Sequence, residues 1–194
     1  MPLFIQALRP LLAVAASLIL GLGSALYAVR SAATLDATTA GSWQAWARAG
    51  TPDWDPYSRA RMARSGELPL GTAEGLTFTA WVDQEGDTLL GNCRYAITGQ
   101  TPQARLWTVE VQRVDGRPAP APRKLRAIGG DTVLRRPDDT FTISVAPRPV
   151  SGNWLSSAGV DAMRLVLRLY DTPIRTAQFV AEIAMPDIVR DACQ

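Results

Sequence analysis

The sequence predicts an all-β fold: a jelly-roll-like antiparallel β-sandwich with one short helix, preceded by an amino-terminal transmembrane helix. Three observations support this prediction. An uncharged apolar run extends from Leu11 to Val29. Beyond it, apolar side chains alternate with polar ones along several short segments, as they do in half-buried strands. Glycine- and proline-containing turns separate these segments, and the sequence offers no helices between them for parallel crossovers.

The apolar run has the length of a membrane-spanning helix. At ~1.5 Å rise per residue it covers about 29 Å, close to the thickness of a bilayer's hydrocarbon core. A secretory signal would have an apolar region of roughly 7–15 residues followed by a small-x-small cleavage site, whereas Arg30 closes this longer run. We therefore expect residues 1–30 to form an uncleaved signal anchor, with cleavage near Ala28 or Ala33 as the alternative.

The charges beside the apolar run predict its orientation. Arg9 and the α-amino group precede it and Arg30 follows it, which gives a small bias toward a cytoplasmic amino terminus by the positive-inside rule. The rest of the chain has the size of one ordinary domain. We therefore expect a single-pass protein of a bacterial inner (plasma) membrane, with its carboxyl-terminal domain in the periplasm.

Residues 31–53 connect the predicted anchor to this domain. The first part of the segment is rich in Ala, Thr, Ser and Gly, so we interpret it as a tether. Trp43 and Trp46 are costly to leave in water, and we expect them to dock on the domain rather than lie at the membrane surface. The β-sandwich domain is then assigned to residues 54–194.

One short helix is predicted at the start of the domain. Asp55 has the character of a helix N-cap, and Pro56 suits the first helical position. Gly66 is suited to end the helix after about two to three turns. We expect this helix to lie on the surface of a larger body.

Five later segments carry clear strand periodicity, and with shorter candidates we expect about seven to nine strands. Their alternating apolar positions are Phe78, Ala80 and Val82; Cys93, Tyr95 and Ile97; Trp107, Val109 and Val111; Phe141, Ile143 and Val145; and Met163, Leu165, Leu167 and Leu169. The stretches between and after these five segments lack their clear alternation, and each is assigned separately. These are a proline-rich loop or edge at 115–124, short extended pieces at 125–128 and 132–135, a turn-rich link at 148–154, an extended segment at 174–183, and a turn or helical piece at 186–193.

Composition excludes several classes of function. Histidine is absent, which removes Ser/His/Asp and Cys/His nucleophilic sites, HExxH zinc sites and imidazole general bases. The 20 basic and 18 acidic residues nearly cancel, so no nucleic-acid partner is indicated. The acidic turn at 83–87 lacks the spacing and the terminal Glu of an EF-hand. We expect neither a metal nor a cofactor.

Cys93 and Cys193 are the two cysteines of the chain. In an oxidising compartment they could form a disulfide that closes a loop of about 100 residues, worth up to ~4–5 kcal/mol in the chain-entropy model. In a cytosolic protein they would stay free thiols. The sequence leaves both states open, because it gives no distance between the two sulfur atoms.

Three stretches in order, DPYSRARMARSGELPL, GNCRYAITGQTPQARLWTVEV and GNWLSSAGVDAMRLVLRLYDTP, point to a known family. They resemble successive signatures of the family called domain of unknown function 1214, and the likeness covers about residues 41–171. The resemblance implies a jelly-roll-like β-sandwich, often in exported bacterial proteins. It implies no established activity, cofactor or catalytic residue. This chain has a membrane anchor where longer members of the family carry another domain.

The leading functional interpretation is a binding or structural module of the cell envelope. In its sharper form, an exposed aromatic surface drawn from Trp54, Trp81, Trp107 or Trp154 binds an envelope glycan or a peptide. We expect Trp107 to lie in the core, because sandwiches bury tryptophan there. Trp154, in a Gly-Asn-Trp turn, is the best candidate for exposure, with Trp81 as a further candidate.

Two alternatives remain open. One is a carboxylate-dependent enzyme acting on envelope glycans, which needs two acids about 5–9.5 Å apart. Glu110 is its first candidate because it lies mid-strand beside Trp107, although a solvated surface carboxylate is the competing interpretation. The other is an accessory subunit of a membrane complex that contacts a membrane-protein partner through the anchor helix and the Trp43/Trp46 segment.

Overall fold

The fold is that of a computed structural model, which describes residues 2–31, 37–65, 70–71, 73–174, 180 and 182–193. Helix α1 (Pro2–Ser31) contains the predicted apolar run. Its Arg9–Arg30 portion has a mean hydropathy of 2.1 and is long and apolar enough to cross a membrane. The side chain of Leu20 is 72% exposed and that of Tyr27 is 74% exposed, so α1 does not belong to the core of the β domain.

The remainder is mostly β and forms two sheets, as the periodicity predicts. The strands are β1 (Thr38–Ala40), β2 (Trp43–Ala45), β3 (Gly75–Ala80), β4 (Cys93–Gly99), β5 (Leu106–Arg113), β6 (Ala127–Gly129), β7 (Phe141–Ala146), β8 (Asn153–Ser156), β9 (Met163–Tyr170) and β10 (Asp187–Cys193). A six-stranded sheet has the order β1-β2-β3-β9-β5-β6, and a four-stranded sheet has the order β10-β4-β7-β8. All pairs are antiparallel except β7 and β8, which are parallel and so depart from the predicted antiparallel pattern.

The core lies between the two sheets. Strand β9 lies near the centre of the six-stranded sheet, between β3 and β5. Every second side chain of β9 is fully buried, from Met163 through Leu165 and Leu167 to Leu169. They join one continuous apolar cluster with side chains of the four-stranded sheet, such as Phe141. Burying each such side chain contributes roughly 1.5–3 kcal/mol, which makes this alternating pattern the main determinant of the fold.

Helix α2 (Pro56–Ser65) forms where the capping signals predict it. The Asp55 carboxylate accepts a hydrogen bond of 2.6 Å from the Ser58 backbone N–H, which satisfies a free donor of the first turn. Met62, one turn later on the same face, is buried in a second apolar cluster with Trp46, Ala49 and Trp54. Helix α2 therefore covers this small cluster, and it also lies against α1.

The folded domain begins earlier than predicted, because part of the assigned tether forms β1 and β2. Strand β2 pairs with β3, and Trp43 and Ala45 are buried in the main core. The indole of Trp43 also donates a 2.8 Å hydrogen bond to the Pro186 carbonyl. Burial of this large aromatic ring is favourable because its indole N–H keeps a hydrogen bond, and it stabilises the pairing of this segment with the sheet.

Two strands occupy residues for which turns were predicted. A turn-rich link was predicted at 148–154, but residues 153–156 form β8. A turn or helical piece was predicted at 186–193, but residues 187–193 form β10. Strand β8 is four residues long, too short to show a period. The register of β10 shifts between Arg190 and Ala192, which breaks its alternation.

The proline-rich region also differs locally from the prediction. Residues 123–126 form the short helix α3 (Arg123–Arg126), which leads directly into the edge strand β6. Residues 132–135 contribute an isolated bridge rather than a strand. Most of the extended segment predicted at 174–183 lies outside the described residues.

Candidate functional site

A cavity of about 360 Å³ lies where the edges of the two sheets meet. Three separate segments form it: the β1–β2 turn, the loop after β3, and the residues at the start of β10. Its volume falls within the range of about 300–1,000 Å³ that is typical of small-molecule sites. Its lining combines the apolar residues Trp43, Val82, Met185 and Pro186 with the polar residues Ser42, Gln84 and Asp187. Asp83 also borders the cavity, but its side chain is buried.

The Asp83 carboxylate holds the loop that forms one wall of the cavity. Its Oδ1 accepts backbone hydrogen bonds from Glu85 at 3.1 Å and from Asp87 at 3.0 Å. Its Oδ2 lies 2.8 Å from Nη2 of Arg190, and the Asp83 side chain is only 1% exposed. The loop is therefore fixed internally and clamped to β10 by a buried ion pair.

Two hydrogen bonds to main-chain carbonyls fix the remaining walls of the cavity. The backbone N–H of Gln84 donates to the carbonyl of Ile188 at 3.0 Å, which joins the loop to β10. The indole of Trp43 reaches the carbonyl of Pro186, as described above. Because hydrogen bonds hold all three segments in place, the cavity is largely preformed, and a ligand would lose little free energy to ordering of the chain on binding.

Sequence reasoning did not find this cavity. The acidic turn at 83–87 was compared with a calcium-binding loop, and the burial of its first residue, Asp83, was not predicted. The available local signal was the Asp-x-x-Gly turn, in which an aspartate at the first position hydrogen-bonds its own following backbone. Nothing in the sequence indicates that Arg190 would supply the matching charge from a distant strand.

Glu110 lies on the outer side of the six-stranded sheet, within a network of charged and polar side chains. Its carboxylate accepts hydrogen bonds from Gln112 at 2.9 Å, from Arg168 at 3.1 Å and from Arg126 at 3.4 Å. Gln112 in turn accepts from Arg164 at 3.2 Å and 3.0 Å. The network connects β5, β9 and α3.

The environment of Glu110 suits an ion pair better than proton transfer. Burial raises the pKa of its carboxyl, but hydrogen bonds from Gln112 and Arg168 outweigh burial and hold that pKa below its ordinary value of 4.5. The carboxylate is therefore ionised at neutral pH. The general acid of a glycosidase needs the opposite shift, because it must carry its proton at the working pH.

The predicted aromatic residues do not share one surface. Trp81 follows β3 and is half-buried, with its ring edge-on to Trp46 at 6.1 Å between centroids. Trp154 lies in β8 of the four-stranded sheet and is half-buried. Its indole N–H donates a hydrogen bond of 3.1 Å to the carbonyl of Ala146. Trp107 is 4% exposed and stacks on Phe141 in the core.

The two cysteines are joined by a disulfide. Cys93 opens β4 and Cys193 closes β10, and the antiparallel register sets them directly opposite each other. The bond connects residues 100 positions apart in sequence. It joins the end of β10, the edge strand of the four-stranded sheet, to the start of β4. The cavity lies at the opposite end of β10.

Solved structures that are similar to this chain include the following two proteins. The VPA0106 protein from Vibrio parahaemolyticus matches 70% of this chain and 35% of its own length, with 18% identity and a TM-score of 0.56. An uncharacterized protein from Burkholderia cenocepacia matches 76% of this chain and 46% of its own length, with 21% identity and a TM-score of 0.43. The first likeness shows a shared fold. This chain thus corresponds to about a third of one of these proteins and to less than half of the other.

The family model for proteins of unknown function named DUF1214 matches residues 74–174. None of the curated proteins matches the chain. The matched span runs from the start of β3 to just beyond β9, so it contains the central strands of both sheets. Two of the three motifs that suggested the resemblance, at residues 91–111 and 152–173, lie within this span, whereas the first, at residues 55–70, precedes it and includes α2. The chain therefore belongs to the family called domain of unknown function 1214.

Proposed function

We propose that this protein is a membrane-anchored module of the bacterial cell envelope. In this proposal α1 spans the inner membrane once, the amino terminus is cytoplasmic, and the β domain lies in the periplasm. The observation that carries the proposal is the Cys93–Cys193 disulfide. Disulfides persist in oxidising compartments and are rare in the reducing cytosol. The exposed apolar face of α1 agrees with this location.

Topology reporters test the location directly. Alkaline phosphatase fused after the β domain is expected to be active, and a cytoplasmic fluorescent reporter fused there is expected to stay dark. In the same cells Cys93 and Cys193 should resist alkylation until a reductant is added. The matched control is a fusion that lacks residues 1–30, which should give the opposite reporter pattern. Active fluorescence of the full-length fusion, together with free thiols, would overturn the proposal.

We further propose that the domain binds an envelope glycan in the cavity between the sheet edges. Sugars present hydroxyl groups around apolar ring faces. The lining offers matching chemistry, since Gln84 and Asp187 provide polar groups beside the apolar surface of Val82 and Met185. A tethered domain with such a cavity would hold the membrane close to the glycan it binds.

Soluble disaccharide–peptide fragments of peptidoglycan are the probe for this binding. We expect calorimetric titration of the detergent-solubilised full chain to detect binding, and Gln84→Ala to weaken it about tenfold through loss of a hydrogen-bonding group. Glu85→Ala is the matched control, because Glu85 lies on the same loop, is exposed and does not line the cavity. Equal affinities for the two variants, or no binding by the parent chain, would refute the assignment.

A further inference from the structure

The outward side of α2 is basic and faces away from the β domain. Within Pro56–Ser65 the sequence has no acidic residue. Ser58 and Met62 are turned toward the domain and buried, whereas Arg59 and Arg64 are exposed. Tyr57 is 43% exposed on the same helix. A helix that exposes an aromatic residue and arginines has the composition typical of segments at a membrane–water interface.

The position of α2 along α1 places this basic side near the end of the apolar run. Helix α1 contacts α2. Near its carboxyl end, Ala28 and Val29 are partly buried, whereas the side chains from Leu18 to Tyr27 are exposed. Arg30 then closes the run. If α1 spans the bilayer, its last turn reaches the headgroup region, and α2 lies beside it at that depth.

The two exposed arginines of α2 form no ion pair with any carboxylate in the part of the chain that the structure describes, although the Asp55 carboxylate attracts Arg59 electrostatically. Arg59 donates to the carbonyls of Pro52 at 3.3 Å and Trp54 at 2.8 Å, which are neutral acceptors. Arg64 forms no ion pair or side-chain hydrogen bond with any described residue. The nearby Asp55 carboxylate is engaged by the backbone of Ser58. Because its side chain is exposed, Arg64 is accessible to an external anion.

We infer that the outward side of α2 binds the anionic phospholipid headgroups of the same bilayer that α1 spans. This inference rests on the proposed membrane anchor. Continuity with α1 favours lipid over an acidic protein, because the headgroups are already adjacent to the helix. Each arginine near an anionic surface shifts such an equilibrium about fivefold. The contact would fix the orientation of the β domain relative to the membrane.

The test uses the full chain in lipid nanodiscs, made either with phosphatidylcholine alone or with about one third phosphatidylglycerol, a content that gives the surface a negative potential. Hydrogen–deuterium exchange of residues 56–65 should slow several-fold in the anionic nanodiscs. Arg64→Gln should reduce this slowing about fivefold, and Arg64→Lys should retain it. High salt should abolish it, since the attraction is screened. Arg117→Gln is the control, because Arg117 lies outside α2 and its side chain is 80% exposed.

The outcomes separate this inference from the anchor on which it rests. Carbonate extraction of the same membranes reports whether α1 is inserted. Retention in the membrane, with equal exchange rates in both nanodiscs, would overturn the lipid contact alone. Release by carbonate would overturn the anchor itself. Equal loss of protection in Arg64→Gln and Arg117→Gln would also contradict a specific role for α2.

Discussion

Replacing Cys193 with serine is expected to lower the free energy of unfolding of the β domain by about 2–5 kcal/mol. The disulfide closes a long loop, since its cysteines are 100 positions apart, and long loops gain the most in the chain-entropy model. Cys193 is exposed, so its replacement removes the cross-link without opening a cavity in the core. Urea unfolding of the detergent-solubilised chain, followed by tryptophan fluorescence, measures the change.

Reductant provides the control for the Cys193→Ser variant. The parent protein in excess dithiothreitol should unfold at the same urea concentration as the variant, and the variant should not respond to the reductant. A variant as stable as the oxidised parent would contradict the expected role of the disulfide. A variant less stable than the reduced parent would indicate that serine at this position does damage beyond loss of the bond.

Replacing Asp83 with alanine is expected to cost about 2–4 kcal/mol. The change leaves the Glu85 and Asp87 backbone N–H groups without their acceptor and removes the buried partner of Arg190. Arg190 is 28% exposed, so water compensates part of the loss. The same unfolding measurement applies. We also expect glycan binding to weaken, because the loop is a wall of the cavity.

Two further substitutions separate the contributions of Asp83. Asp83→Asn keeps an oxygen that can accept from the loop backbone but removes the charge, so its cost should be intermediate. Asp87→Asn removes the second partner of Arg190 at 3.2 Å, and the Asp87 side chain is 61% exposed. An exposed pair of this kind contributes less than about 1 kcal/mol. If Asp83→Ala costs no more than Asp87→Asn, the loop is held by its backbone contacts instead.

Much of the fold could be predicted because its central strands carry strong local signals. Strand β9 alternates so regularly that its inward residues follow from the sequence alone. The other face of β9 could not be predicted. Arg164 and Val166 are buried there, and the polar network that satisfies Arg164 depends on Gln112 of the neighbouring strand. Periodicity identifies an inner face, whereas burial of an outer face depends on what packs over it.

The candidate site was largely beyond the reach of sequence reasoning. Its cavity combines residues near positions 42, 84 and 186, and nothing local relates these segments to one another. Strand β10 lacked a clean period, and its partner β4 is distant in the chain. The prediction of an exposed aromatic surface did not lead to the cavity either, because its tryptophans lie in separate parts of the fold. Trp154 lies in β8 of the four-stranded sheet, whereas Trp81 follows β3 of the six-stranded sheet.

The pairing of β10 with β4 determines when this domain can finish folding. A nascent chain still emerging from the ribosome carries β4 with one unsatisfied edge, because its partner has not yet been synthesised. That edge exposes N–H and C=O groups that invite pairing with other chains. Contacts between residues 100 positions apart also form slowly. Until the segment that carries Cys193 arrives, this edge of the unfinished domain stays open to pairing with other chains.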